Sequence, residues 1–226
     1  MTMISATHIN SAATFSWTLL HLLRNSAHLA THLDEITTHP PSADGVYPWR
    51  EMPFAGSCLR ETGRLYTNLL MFRFLPRDVL APDGTLLPKG WVAVSPLTTQ
   101  RDPSLFNRPD VWDPTRFLNG SYPSHLRSAE FVQFGLPPHA CLGEKFTYSL
   151  LRGVLWPTLL DGYEVELVEG VKEGEGVDGV GVAPNWRESM GTAVGMREVF
   201  VRVTRRKETL SGARVQAGVT GNSTMR

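Results

Sequence analysis

Cysteine is scarce in this chain: of 226 residues only Cys58 and Cys141 carry a thiol. Two cysteines make no disulfide framework, and neither sits in a C-x-x-C pair that would suggest zinc. Such sparing use suits a reducing compartment. An excess of either charge is also missing, since 22 Lys and Arg balance 22 Asp and Glu, so no nucleic acid or other polyanion is expected as a partner. The one basic run, from Arg202 to Lys207, reads as a solvated edge or frayed tail. There is no uninterrupted apolar run of about 18 residues and no leader with a charged start, apolar centre and cleavage site. The chain as written is therefore expected to be cytoplasmic or peripheral to a membrane. No internal repeat is present.

What is there is mostly helical pattern. Residues 4–36 carry Ala13, Trp17, Leu20, Leu23, Leu29, Leu33 and Ile36 at helical spacing, predicting one long helix that ends at the prolines beginning with Pro40. A second helix is expected over 54–70. Short strands joined by a P-D-G hairpin turn follow within 75–96, then a Pro-, Asp- and Asn-rich irregular meander over 101–123. A further helix over 144–156 is expected to stop at Pro157. Residues 163–168 and 199–203 alternate apolar and polar residues as half-buried strands do. The glycine-rich stretch between them reads as a loop without phosphate-loop spacing. These elements predict a mainly α fold with small β-sheets (α+β), in a single domain over 1–205 with a disordered tail over 206–226. His8, His21, His28 and His32 read as solvated or capping histidines, and Tyr148 and Trp156 as core.

The most informative segment is Phe134 to Gly143, F-G-L-P-P-H-A-C-L-G. Its glycines and prolines pin the backbone around Cys141, and a helix starting near Leu142 would aim its N-terminal N–H groups at the sulfur, favouring a thiolate. A lone cysteine is also commonly an inert buried thiol, so position alone leaves both readings open. Two features accompany the loop. Glu61 and Arg64, in E-T-G-R, share a helix face, and Arg116 lies in W-D-P-T-R-F.

In this order and spacing the three motifs resemble the cytochrome P450 family, with a fungal character. The family's loop is F-x-x-G-x-R-x-C-x-G. The resemblance gives Phe134 the aromatic place beside the sulfur, His139 the basic place that reaches a haem propionate, Cys141 the iron-ligand place and Gly143 the close-approach glycine. Pro137 stands where the family has glycine. The E-x-x-R pair and the P-x-R-F segment imply that Glu61, Arg64 and Arg116 form an ion-pair network beneath the haem. The opening helix resembles the family's oxygen-activating helix. Ala6 and Thr7 then fall at its small-residue groove, Ile9 at its acid position, Asn10 at its threonine position and Ser11 just after.

The resemblance implies a haem-thiolate monooxygenase with haem b as cofactor, an NADPH-dependent reductase as electron donor and an apolar small molecule, sterol-like or a secondary metabolite, as substrate. It implies catalytic roles for Asn10 and Ser11, although an apolar Ile9 cannot relay protons. Asn10 would order a water through its carboxamide; the alternative is that Asn10 or Ser11 caps a helix. The resemblance covers about Ala6 to Arg205, matching only the C-terminal half of a member. It implies an endoplasmic reticulum membrane location for full-length members and an N-terminally truncated chain here, from a truncated gene or gene model. A catalytically inactive remnant, or a non-enzymatic interaction module, is the other reading.

Overall fold

The structure, a computed structural model, describes residues 2–67, 70–118, 131–168, 184–185, 194–195 and 199–212, and the side chains of these from Thr7 onward apart from the residues of two short strands, Pro184–Asn185 and Val194–Gly195. It is the α+β fold expected: among the described residues six α-helices carry the core, and the strands pair in four two-stranded antiparallel ladders.

The opening helical pattern is two helices, not one: α1 spans Thr2–Arg24 and α2 Ser26–Thr38. Asn25 divides them. Its backbone is extended and its side-chain oxygen accepts the His28 N–H at 3.1 Å, so it caps α2 while His21 and Arg24 occupy the last turn of α1. Periodicity ran through the break because Leu20, Leu23, Leu29 and Leu33 all pack inward at near-helical spacing across the single residue Asn25.

Next, α3 spans Pro53–Tyr66, with proline in its first turn. Residues Asn68 and Leu69, expected to extend it, lie outside the described residues. It is the central helix: from Phe54 to Tyr66 only Arg60 escapes full burial. Its exposed N-terminal donors are taken by a neighbour, as Phe54 N and Ala55 N donate to the two Glu35 carboxylate oxygens at 2.7 and 2.8 Å. Helix α1 packs along it, burying Trp17, Leu20 and Leu22 against Cys58, Leu65 and Tyr66.

The hairpin region holds β1 (Met71–Leu75), β2 (Val79–Leu80), β3 (Leu86–Leu87) and β4 (Gly90–Val94). β1 pairs with β4 in the register Phe72 with Ala93 and Phe74 with Trp91, and β2 pairs with β3 around the Pro82–Gly84 turn. Helix α4, Pro96–Gln100, leads into the meander. The meander is turns stitched by Asp102 and Asp113, each accepting from the backbone and hydroxyl two residues on. Its expected end, residues 119–123, lies outside the described residues.

After the cysteine loop, Pro157 does not end the helix. α5 (Glu144–Leu150), a π-helical stretch (Leu151–Leu155) and α6 (Trp156–Gly162) run on continuously, with Pro157 in the first turn of α6. A proline at 157 leaves the Gly153 carbonyl without its helical donor. Tyr47 N takes it instead, at 2.9 Å. The wider turn and an outside donor together accommodate a residue that otherwise stops a helix.

Strands β5 (Tyr163–Leu167) and β8 (Val201–Arg205) pair antiparallel, Val165 opposite Val203; the short β6 (Pro184–Asn185) and β7 (Val194–Gly195) pair with each other. The glycine-rich stretch expected as a loop lies outside the described residues, as do residues 213–226. Residues 206–212 are anchored rather than disordered. Ser211 donates its N–H and hydroxyl to buried Asp161 at 2.7 Å each, Tyr47 OH donates to the same carboxylate at 2.7 Å, and Arg206 N bonds Gly162 O at 2.9 Å.

Candidate functional site

Glu61, Arg64 and Arg116 converge. Glu61 and Arg64 are wholly buried and Arg116 is 7% exposed. Arg64 donates through Nε and Nη2 to the two Glu61 oxygens at 2.9 and 2.8 Å, a fork-on-fork pair. Arg116 Nε donates to both oxygens at 3.2 Å, and the Asp113 N–H adds a donor at 3.0 Å. One carboxylate faces two guanidiniums, so a positive charge is left over in the interior. Backbone carbonyls meet it: Arg64 Nη1 donates to Gln100 O and Pro109 O at 2.7 and 2.6 Å, and Arg116 Nη1 to Asn107 O at 2.8 Å. Buried charges persist only when paired and bonded this fully. The cluster therefore fixes the meander onto α3.

The cysteine loop has another character. Cys141 is exposed and unoxidised, and Cys58 is a buried free thiol whose pKa is pushed up by desolvation, first of all. Phe134 O accepts the Cys141 N–H at 2.7 Å, closing the loop; Val132 O accepts from Gly135 N at 3.0 Å and Leu136 O from His139 N at 2.9 Å. Gly135 has φ +72°, and a Cβ there would lie 3.1 Å from the His139 carbonyl oxygen, so this position needs glycine twice over. The left-handed residue that the family pattern leads one to seek at Pro137 is thus two places earlier. Gly143 has an ordinary helical φ of −83°, and a Cβ there would meet only the Cys141 sulfur, at 3.7 Å. The following helix begins at Glu144, with Gly143 as its cap residue, rather than near Leu142.

Phe134 anchors the loop inward, its ring 5.7 Å from Tyr148 of α5, and the Arg60 and Arg152 guanidiniums each lie 5.8 Å from the centre of the Tyr148 ring. His139 is exposed at the loop's outer turn. Leu142 is 95% exposed and Phe146 52% exposed, so the thiol stands beside apolar surface. A soft sulfur donor on a backbone-tied loop, flanked by apolar side chains and an exposed imidazole, fits the thiolate side of a haem. Among the described residues no group of three or more His, Cys, Asp or Glu side chains gathers as an alternative metal site.

Asn10 and Ser11 lie in the interior of α1, two turns past its start, so neither is a helix cap. Ser11 is buried, Asn10 half-buried and Ile9 exposed. His8, Ile9, Ala12 and Ala13 line one end of an apolar groove of about 540 Å³ that runs along α1 to Leu167 and Val201. The Ala6 side chain lies outside the described residues. The structure joins α1 to α3 directly, through Thr18 Oγ1 and Thr62 Oγ1 at 2.8 Å and His21 Nε2 and Tyr66 OH at 2.9 Å. The cysteine loop meets α5 through the Phe134–Tyr148 ring contact, and Phe15 of α1 packs in the same cluster as Tyr148.

Two histidines expected to be solvated are core residues. His21 stacks on Trp112 at 4.6 Å and 3°, and burial, aided by His28, lowers its pKa to about 3. His32 is 1% exposed. Sequence reasoning also missed Gln100, Glu35 and Arg152, all buried and bonded to backbone. Their only signal was a polar residue on an otherwise apolar helical face, a signal too common to single them out.

Comparison with known proteins finds relatives of the chain within one family. The sequence profile described as Cytochrome P450 matches residues 1–183. The chain is 35% identical over 166 residues to the cytochrome P450 monooxygenase pyvB of Aspergillus violaceofuscus, covering 71% of this chain and 32% of that protein. It is 34% identical over 174 residues to a sterol 14-demethylase of Arabidopsis thaliana, 72% of this chain and 35% of that one. To the cytochrome P450 monooxygenase pynD of Aspergillus niger it is 31% identical over 160 residues, 65% and 32%. The chain thus spans about a third of the length of the curated relatives it matches.

Proposed function

The chain belongs to the cytochrome P450 family, and on that premise we propose that it provides the thiolate side of a haem monooxygenase acting on an apolar small molecule, a sterol-like compound or a secondary metabolite. The observation that carries this reading is the exposed Cys141 thiol on a loop closed by its own backbone bonds. The names of the relatives, a sterol demethylase and fungal monooxygenases, supply the substrate class. The reductase that feeds it electrons from NADPH, and an endoplasmic reticulum membrane as its place of work, belong to the same proposal.

Cys141 would ligate the iron through its thiolate, with Phe134 shielding the sulfur and His139 donating to a propionate. Bound there, haem b supplies the activation of dioxygen for insertion into a C–H bond. The tie from Cys141 N to Phe134 O holds the sulfur's backbone in one place, so the ligand is positioned before it binds. Exposed Leu142 and Phe146 would exclude water from the sulfur's side. Asn10 would hold a water by its carboxamide, and buried Ser11 would continue that hydrogen-bond path, because Ile9 offers no proton-exchanging group.

A second reading keeps the haem and drops the turnover: a catalytically inactive remnant. Ile9, an apolar side chain at the family's acid position, favours it. Haemin titration separates the readings from a chain that binds no haem. We expect the reduced protein with carbon monoxide to give the long-wavelength Soret band of thiolate ligation, and Cys141→Ala to remove it. Absence of the band in folded wild-type protein overturns both readings and leaves an interaction module. A band without substrate-dependent NADPH consumption, in the presence of a reductase, identifies the remnant.

A further inference from the structure

We infer that Gln100, the last residue of α4, is a positioning residue for the cysteine loop. Its side chain is completely buried and uses both ends. The amide Nε2 donates to Arg64 O at 3.0 Å, at the C-terminal turn of α3, and Oε1 accepts the N–H of Val132 at 3.1 Å. Its own backbone carbonyl accepts from Arg64 Nη1 at 2.7 Å. Gln100 thus ties Arg64, and the neighbouring Gly63 carbonyl that its Nε2 also reaches at 3.5 Å, to the segment of chain entering the loop.

From Val132 the path continues without a gap. Val132 O holds Gly135 N at 3.0 Å, and Phe134, between them, offers its carbonyl to Cys141 N at 2.7 Å. The ion cluster on α3 and the thiol are therefore linked through one carboxamide. Gln133 strengthens the docking, because its side chain lies directly across Gly63 of the E-T-G-R turn, where any Cβ would collide with it. A carboxamide suits this place since it donates and accepts at once. A side chain without the acceptor leaves Val132 N buried without a partner and opens the loop side, whereas one without the donor leaves only Arg64 O on the α3 side unanswered.

Its importance for catalysis rests on the haem reading above, but its structural test does not. Amide hydrogen exchange is measured on the full chain without haem for wild type, Gln100→Leu and Gln100→Glu. Leucine removes both bonds at similar volume; glutamate keeps an acceptor for Val132 N. We expect Gln100→Leu to speed exchange at Val132, Gly135 and Cys141 by about tenfold while α2 amides keep their rates, and Gln100→Glu to restore loop protection. Unchanged loop amides in Gln100→Leu overturn the inference, and so does an equal rise throughout the chain. If Gln100→Leu does not fold, Gln100→Glu decides: wild-type loop protection supports the inference, and fast loop exchange, or failure of that variant to fold as well, overturns it. Added haemin gives the separate readout. If no haem binds to wild type, the haem reading fails while the exchange result still stands.

Discussion

The E-T-G-R helix and the cysteine loop differ in where their polar groups find partners. Around Glu61 every charge is answered within the chain, by two guanidiniums, a backbone N–H and a set of meander carbonyls. At Cys141 only the backbone is answered; the sulfur faces outward beside exposed Leu142. One region is a finished structural device. The other leaves an exposed thiol, the group proposed above as a ligand. Energy should therefore concentrate at the first and chemistry at the second.

Glu61→Gln breaks this contrast most severely. It strands two buried guanidiniums, and we expect a loss of about 3–5 kcal/mol in urea unfolding, enough to unfold much of the population. Gly63→Ala attacks the contact between the two regions. Its methyl group meets Gln133, and overpacking of this kind lowers stability by up to about 3 kcal/mol, read in the same unfolding experiment, with Gln133→Ala as the variant that relieves it.

A pH series sharpens the comparison from the α1 side. His21 is buried neutral, its pKa lowered from 6.5 to about 3 by desolvation. The unfolded chain thus binds a proton that the folded chain refuses between these values. This contribution is whole above about pH 6.5 and is lost as pH falls towards 3, amounting to about 2 kcal/mol at pH 5. His21→Phe, which keeps an aromatic ring against Trp112, should flatten that slope. The smallest effect is expected at the loop: Cys141→Ser should change stability by less than about 0.5 kcal/mol, as for other exposed positions. A loss comparable to that at Glu61 would show that the loop carries structural load and would erase the contrast.

The two regions were also unequally legible in the sequence. Glu61 and Arg64 share a face by their spacing alone, and the alternation over 163–168 and 199–203 marked two strands, although not that they pair with each other. What was not legible depended on distant partners. Pro157 stays inside a helix because Tyr47, far earlier in the chain, takes the Gly153 carbonyl. His21 is a core residue because Trp112 of the meander stacks on it, and Ser211 is fixed because Asp161 is buried beside it. Asn25 is a local signal, a good cap within a leucine pattern, but the surrounding periodicity masked it. The left-handed residue of the loop is Gly135, two places before Pro137, since φ can be positive at glycine and is locked negative at proline.

Thiol alkylation followed by mass spectrometry tests the central claim most directly, because it reads both cysteines at once in the folded chain. With iodoacetamide alone, Cys141 should be modified and buried Cys58 spared. With saturating haemin, Cys141 should become protected while Cys58 remains as it was. Cys141 modified at the same rate with and without haemin would contradict the assignment of its sulfur as the iron ligand.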